Sequence, residues 1–234
     1  MKVVPVISAA LTLGIAGTCS ANIIFDQIGA VPPLDGVAFA SQIFEPANAA
    51  FNIAALDDFT VSGGKGSITT VEAIMRGFGG FTSINNVTGW SVEIYSSVAA
   101  AGASLTGNAG SAFLTSATIV NLGGTFNFHI TLDVTGLGLN LADGDYWIAV
   151  IPHLAFSGGG GQLGVSGSTI EDGPGAGPNA HQANPGGGFG FGPTTQILSG
   201  GAPQNLAYRI TAVPAPGALA LLGIAGLCGV RRRR

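Results

Sequence analysis

Residues 125–134 read TFNFHITLDV, and this stretch decides the fold. Apolar side chains occupy every second position, and polar or charged side chains lie between them. The apolar set is Phe126, Phe128, Ile130, Leu132 and Val134, and the polar set is Thr125, Asn127, His129, Thr131 and Asp133. A period of two places successive side chains on opposite faces of an extended chain. The stretch therefore predicts a strand with one buried face and one solvated face.

The same alternation recurs at residues 89–96 and 205–212. In the first, Trp90, Val92 and Ile94 would face inward, and in the second, Leu206, Tyr208 and Ile210 would do so. Further strand candidates are residues 58–61, 71–78 and 113–120. Each of these segments has the length and composition of a half-buried strand.

Residues 146–151 differ, because YWIAVI is apolar at every position. They follow Asp143-Gly144, a dipeptide typical of tight turns. A strand without a polar face needs cover on both sides, so this segment is predicted to be a central strand.

Many strands joined by short turns, with no long segment of helical period, predict an all-β fold. We expect an antiparallel β-sandwich, jelly-roll-like, over residues 22–212. A glycine-rich insertion at about residues 157–202 would form long surface loops around two short strands, 162–165 and 195–198. An outer-membrane barrel is the alternative, but it needs strands of about ten residues throughout.

Charged residues make up 9% of the chain, against roughly 25% in an ordinary soluble domain. Glycine accounts for 39 of 234 residues, which suits a β-rich extracellular protein better than a helical cytosolic enzyme. Residues 22–212 contain three basic and twelve acidic residues, a formal charge of −9. Nucleic-acid binding requires clustered Lys and Arg, so this composition argues against a nucleic-acid partner.

The N-terminus has the layout of a signal peptide over residues 1–21. Lys2 precedes an apolar run at residues 3–16, and small residues follow at 17–21. Signal peptidase would cleave after Ser20 or Ala21. A buried N-terminal strand or helix and a lipoprotein modified at Cys19 are the alternatives.

The C-terminus has three parts: VPAPG at 213–217, an apolar stretch at 218–230 and four arginines at 231–234. The apolar stretch has 13 residues, fewer than the roughly 17–25 that cross a bilayer comfortably. The arginines would stay on the cytoplasmic side. This order predicts a short transmembrane helix that makes transient membrane contact.

The C-terminal segment, residues 213–234, resembles the PEP-CTERM sorting signal of exported bacterial proteins. The motif residues are Val213, Pro214, Ala215, Pro216 and Gly217, followed after the apolar stretch by Arg231, Arg232, Arg233 and Arg234. Ala215 stands where the family signal commonly has glutamate. The resemblance implies cleavage by an exosortase in a Gram-negative type of bacterium, and association with exopolysaccharide or the outer surface. An ordinary C-terminal membrane anchor is the alternative.

The two cysteines, Cys19 and Cys228, both lie in these terminal segments. If both segments are removed, the mature domain has no thiol and no disulfide. Export and processing would then deliver an acidic, thiol-free β domain to the cell surface or extracellular matrix.

Two sets of residues are candidates for ligand binding. Asp57, Asp58, Asp143 and Asp145 are candidate oxygen ligands for Ca²⁺, although acidic residues in turns often serve only turn formation and solubility. Tyr95, Phe189 and Phe191 are candidate stacking residues for a sugar. The strand register points Tyr95 away from Trp90, and the two phenylalanines lie in a loop, where apolar side chains need a reason to be exposed.

Nucleophile-elbow, zinc-protease and phosphate-loop motifs are absent from the sequence. This absence favours a non-catalytic exported protein that binds carbohydrate or mediates adhesion, with no cofactor apart from possible Ca²⁺. The alternative is a secreted hydrolase acting on polysaccharide, which needs two carboxylates about 5–10 Å apart across the sugar.

Overall fold

The computed structural model describes residues 20–30, 32, 37–124, 126–172 and 179–214. The predicted signal peptide up to Cys19 and the predicted sorting tail from Ala215 onward lie outside these residues. Within them, no helix has the length and apolar character needed to cross a bilayer.

The described residues form sixteen strands and one short α-helix. The strands are β1 (Asn22–Asp26), β2 (Ala38–Ala40), β3 (Ala54–Val61), β4 (Ser67–Phe78), β5 (Gly89–Tyr95), β6 (Gly110–Leu114), β7 (Thr118–Gly123), β8 (Asn127–Asp133), β9 (Gly144–His153), β10 (Gln162–Ser168), β11 (His181–Ala183), β12 (Thr194–Gln196), β13 (Leu198–Ser199), β14 (Ala202–Pro203), β15 (Asn205–Leu206) and β16 (Tyr208–Val213). The helix is α1 (Val98–Ala103), and 3₁₀ turns lie at Pro46–Phe51, Ile84–Asn86 and Ser157–Gly159.

The strands form two antiparallel sheets that face each other, which confirms the predicted β-sandwich. The first sheet has the order β1-β16-β4-β10-β15. Strands β16 and β10 pair with successive parts of one edge of β4, and β8 pairs with its other edge. Strand β7 pairs with β8, and β2 pairs with β10. The second sheet has the order β12-β11-β3-β9-β5-β6. Apolar side chains from both sheets form the main core between them. The remaining strands, β13 and β14, form a separate hairpin.

Strand β8 has the predicted alternation, with Phe128, Ile130 and Leu132 buried in the core. It begins at Asn127, later than expected, because Phe126 has a φ of 62°. This left-handed conformation is uncommon for a residue with a side chain and interrupts an extended strand. The ring of Phe126 packs edge to face on Phe81, with 5.2 Å between the ring centroids.

Residues 113–120 were predicted to form one strand, and that prediction is wrong. The chain leaves the second sheet at the end of β6, turns through residues 115–117 and enters the first sheet as β7. Both parts have the composition of a strand, and local composition does not specify which sheet a strand joins.

Strand β9 is central and covered on both faces, as its uniform apolar sequence predicts. Ile148 and Val150 lie in the core between the sheets. Trp147, Ala149 and Ile151 face the other way, into a second cluster that includes Ala101 of α1. The helix and neighbouring segments thus cover the outer face of the second sheet.

The glycine-rich region contains the expected loops, but it also supplies strands to both sheets. Strand β10 extends from Gln162 to Ser168 and is almost wholly buried within the first sheet. A Cβ at Gly164 would overlap the carbonyl oxygen of Phe39 in β2. Glycine at this position therefore allows close strand approach within the sheet.

Strands β3 and β9 pair directly from the residue pair Asp57–Ile148 to the pair Val61–Gly144. At Ala55 and Val150 the two backbones no longer bond to each other directly. The hydroxyl of Tyr208 accepts a hydrogen bond from Val150 N (3.2 Å) and donates to Ala55 O (2.9 Å). The hydroxyl of Ser41 donates to Val150 O (2.7 Å) and accepts from Ala55 N (3.3 Å). Two hydroxyl groups thus replace the two direct backbone bonds of this pair.

Beyond this point the two strands separate, and the segment that follows Ser41 lies between them. Gln42 and Ile53 exchange backbone hydrogen bonds of 2.7 and 3.0 Å. Ile43 N donates to Pro152 O (2.9 Å), and Leu154 N donates to Ile43 O (3.0 Å). Because Tyr208 belongs to β16 of the first sheet, its hydroxyl also connects the two sheets where the second one divides.

We expect Tyr208→Phe to destabilise the protein by about 1–3 kcal/mol, because Val150 N–H and Ala55 C=O would lose their partner inside the core. The free energy of unfolding from urea denaturation measures this effect. The matched control is Tyr146→Phe, which removes a hydroxyl that donates to Ala142 O (3.2 Å) at an exposed site. That loss should stay within about 0.5 kcal/mol. Equal losses in the two variants would contradict a bridging role for Tyr208.

Candidate functional site

An aromatic groove of about 310 Å³ lies beside the 3₁₀ turn Pro46–Phe51. Its lining residues are Phe44, Asn48, Phe51, Phe156, Gln162 and Phe189. They come from three regions: the segment between β2 and β3, the segment from the end of β9 to the start of β10, and the loop between β11 and β12. None of the six is charged, so the groove is apolar with two amide side chains.

Three of the groove phenylalanines are exposed to solvent: Phe51 by 39%, Phe156 by 46% and Phe189 by 37%. The rings of Phe51 and Phe189 meet edge to face, with 5.4 Å between centroids. Phe189 also stacks on Phe191, with 6.3 Å between centroids and an interplanar angle of 11°. Clustered exposed rings in a concave surface are typical of a ligand site.

The loop that carries Phe189 is held by the buried side chain of Asn184. Its Nδ2 donates to Ala50 O (2.9 Å) and Asn52 O (2.8 Å), and its Oδ1 accepts from Phe189 N (3.1 Å). Gly188 N also donates to Ala50 O (2.9 Å), and a Cβ at Gly188 would lie only 2.7 Å from that oxygen. The glycine therefore lets the loop lie directly against the 3₁₀ turn and places Phe189 beside Phe51.

Glu45 joins two walls of the groove. Its carboxylate accepts hydrogen bonds from Phe156 N (2.7 Å), Ser157 N (3.2 Å) and the side-chain amide of Asn48 (2.8 Å). These donors favour the charged form, and the bond from Phe156 N has the largest effect. Together with the backbone N–H of Glu45 itself, the bonds from Phe156 and Ser157 lower the pKa of Glu45 to about 2. The carboxylate thus links the 3₁₀ turn to the segment after β9.

Tyr95, a predicted stacking residue, points away from Trp90 as expected but is fully buried. Its ring lies in the cluster beneath α1, and its hydroxyl donates to Leu105 O (2.7 Å). The prediction that Tyr95 stacks on a ligand is therefore wrong, because the outer face of its sheet is covered. Phe189, in contrast, lines the groove, and Phe191 stacks on Phe189 beside it.

Asp57 and Asp58 point to opposite faces of β3. Asp57 is fully buried, and its carboxylate accepts from Leu206 N (2.6 Å) and Asp58 N (3.0 Å). With its amide oriented to match its neighbours, Gln27 donates to the same carboxylate (2.6 Å). Burial raises the pKa of Asp57 well above its usual range. The Asp58 carboxylate instead accepts from the amide of Asn179 (3.3 Å).

Asp143 and Asp145 have turn-stabilising contacts. The Asp143 carboxylate accepts from Gly63 N (3.0 Å) and Gly64 N (2.9 Å), and Asp145 accepts from the hydroxyl of Thr60 (2.8 Å). Among the described residues, no group of three or more His, Cys, Asp or Glu side chains is arranged to hold a metal ion. The four candidate calcium ligands therefore do not form such a group there.

A serine–histidine contact was not anticipated from the sequence. Ser91 Oγ lies 2.9 Å from His153 Nε2, and burial lowers the pKa of His153. A Ser-His-acid triad also needs a carboxylate bonded to the histidine, and among the hydrogen bonds of the described residues none joins a carboxylate to His153. Only the pairing of β5 with β9 brings these two residues together, so no sequence motif could indicate the contact.

A charged cluster on the outer face of the first sheet was also not anticipated. The Arg209 guanidinium lies 3.1 Å from Asp26 and 3.3 Å from Glu72, and Glu72 contacts His129 at 2.6 Å. These side chains connect β1, β16, β4 and β8. Their mutual contacts across four strands indicate a structural role.

A scan against models of known protein families finds no matching family, and a search of curated proteins finds no similar sequence.

We expect Glu45→Gln to weaken the protein at neutral pH and to have little effect in strong acid. The folded-state pKa is lowered from 4.5 to about 2, so the stabilisation by the carboxylate is complete above the unfolded value. It is lost as the pH falls from 4.5 toward 2. Urea unfolding of both proteins across this interval measures the difference. If the difference in the free energy of unfolding between the two proteins did not change with pH, the role of the charged carboxylate would be contradicted.

Proposed function

We propose that this chain is an exported cell-surface or extracellular-matrix protein whose β-sandwich binds a polysaccharide in the aromatic groove. The observation that carries the proposal is the cluster of exposed rings formed by Phe51, Phe156 and Phe189. Exposing three large apolar side chains side by side is unfavourable in water, and a ligand that covers them removes this cost.

The chemistry of the groove suits a sugar. A pyranose ring has an apolar face of C–H groups, which the flat rings of Phe51 and Phe189 can cover. Asn48 and Gln162 carry amides that donate and accept hydrogen bonds, as sugar hydroxyls require. Because the lining has no charge, we propose a neutral segment of exopolysaccharide as the ligand. The volume of about 310 Å³ is at the lower end of that of small-molecule sites.

The proposed location comes from the terminal segments. Signal peptidase would remove the N-terminal segment, and an exosortase would recognise the tail that resembles a PEP-CTERM signal. In the described residues, β16 ends at Val213 and is followed directly by Pro214. Val213, the first residue of the predicted motif, is thus the last residue of the first sheet, so removal of the chain beyond it need not disturb the sandwich.

Polysaccharide hydrolysis is the alternative activity. It requires an acid and a second carboxylate on either side of the sugar. The six residues lining the groove include no carboxylate. For this groove we therefore propose binding without cleavage.

We expect Phe51→Ala and Phe189→Ala each to weaken binding to the producing cell's exopolysaccharide by about 5- to 30-fold, because each removes a stacking surface. Isothermal titration calorimetry measures the dissociation constant. The control is Phe113→Ala, which removes an exposed ring from β6, outside the groove lining. Absence of binding by the unchanged protein, or an equal loss in Phe113→Ala, would refute the proposal.

We expect replacement of the four arginines, Arg231 to Arg234, by alanine to prevent tail cleavage and surface delivery in the producing cell. The basic cluster would no longer hold the tail on the cytoplasmic side. Fractionation and immunoblotting would show the longer precursor accumulating. The control is Lys65→Ala, a loss of positive charge within the domain. Normal processing of the alanine variant would contradict the sorting role.

A further inference from the structure

A long stretch of the chain contains no acidic or basic residue other than His129. From Ile94 to Leu132 the sequence contains no Asp, Glu, Lys or Arg. This stretch forms α1, β6, β7 and most of β8. The remainder of residues 22–212 holds all three basic and all twelve acidic side chains of that region, a formal charge of −9.

This uncharged stretch includes an edge of each sheet. Among the described residues, β6 pairs only with β5, and β7 pairs only with β8. Half of the backbone N–H and C=O groups of an edge strand point away from the sheet and can pair with another strand. Most of β7 is exposed, including the apolar side chains of Ile119 and Val120.

Strand β7 lacks most of the features that protect an edge from pairing. It contains no lysine or proline, and its register with β8 is regular from Thr118 to Asn121. The register shifts only between Asn121 and Gly123. The opposite edge of the sheet differs, because the backbone N–H of Asp26 in β1 donates to the carboxylate of Asp172 (2.6 Å). Strand β7 is thus the more accessible of these two edges.

We propose that β7 pairs antiparallel with β7 of a second copy of this chain, joining two first sheets in a weak, reversible dimer. Charge indicates the partner: two acidic domains repel each other where their carboxylates meet, whereas β7 contributes no charged side chain to a contact between two copies. A basic partner would instead be drawn to the acidic faces. A second copy also supplies the complementary unpaired edge, and a twofold axis allows the same strand to serve on both sides. Only four residues pair regularly, so the association is weak.

Hydrogen exchange of the full-length chain in mild detergent tests the proposal. As protein concentration rises about a hundredfold, we expect amides in β7 to exchange about tenfold more slowly, while those of β6 do not change. Sedimentation velocity should show a dimer over the same range. Val120→Lys should weaken dimerisation at least about tenfold, because it places like charges on the two paired edges.

The control is Leu198→Lys on the β13–β14 hairpin, since Leu198 is 51% exposed and Val120 is 53% exposed. It should leave dimerisation unchanged. A chain that stays monomeric, or association that leaves β7 exchange unchanged, would overturn the proposal. Slower hydrogen exchange of β6 alone would also overturn it, and so would a Val120→Lys variant that dimerises as tightly as the unchanged protein. If the Val120→Lys variant fails to fold, the concentration dependence of β7 hydrogen exchange in the unchanged protein still tests the proposal.

Discussion

The hydroxyl groups of Tyr208 and Ser41 occupy the point where β3 and β9 stop pairing directly. They satisfy four backbone groups that would otherwise be unpaired in the core, where each such group is costly. This arrangement lets the two strands separate and admits the segment that begins with Gln42. That segment continues into Phe44, Glu45 and the 3₁₀ turn, so one wall of the aromatic groove depends on the separation.

The remaining groove walls are held against this first wall by local polar contacts. Glu45 binds the backbone of Phe156, and Asn184 binds the backbone on both sides of Phe51. Exposed aromatic rings cannot hold one another in place by burial, because much of their surface remains in water. Hydrogen bonds from buried or partly buried side chains keep these rings together instead. The groove is thus positioned by backbone contacts more than by packing between its rings.

Part of this site was visible in the sequence. Phe189 and Phe191 stood out because a glycine-rich loop gives large apolar residues little to pack against. Phe51 and Phe156 gave no such signal, since they lie in short irregular segments far apart in the chain. Tyr95 was predicted to be a binding residue but is buried. Its register correctly indicated the face of the strand on which it lies, but could not indicate that α1 covers that face. The position of a side chain on one face does not determine whether that face is exposed.

The sequence by itself determined the class of fold, the acidity of the domain and the segments that resemble export and sorting signals. These properties follow from local periodicity, composition and short linear patterns, which need no tertiary contacts. Only the tertiary structure decided that β6 and β7 belong to different sheets, that Ser91 meets His153, and which phenylalanines share a groove. Those outcomes depend on pairing between distant segments, and a pattern of alternating side chains does not specify its partner strand.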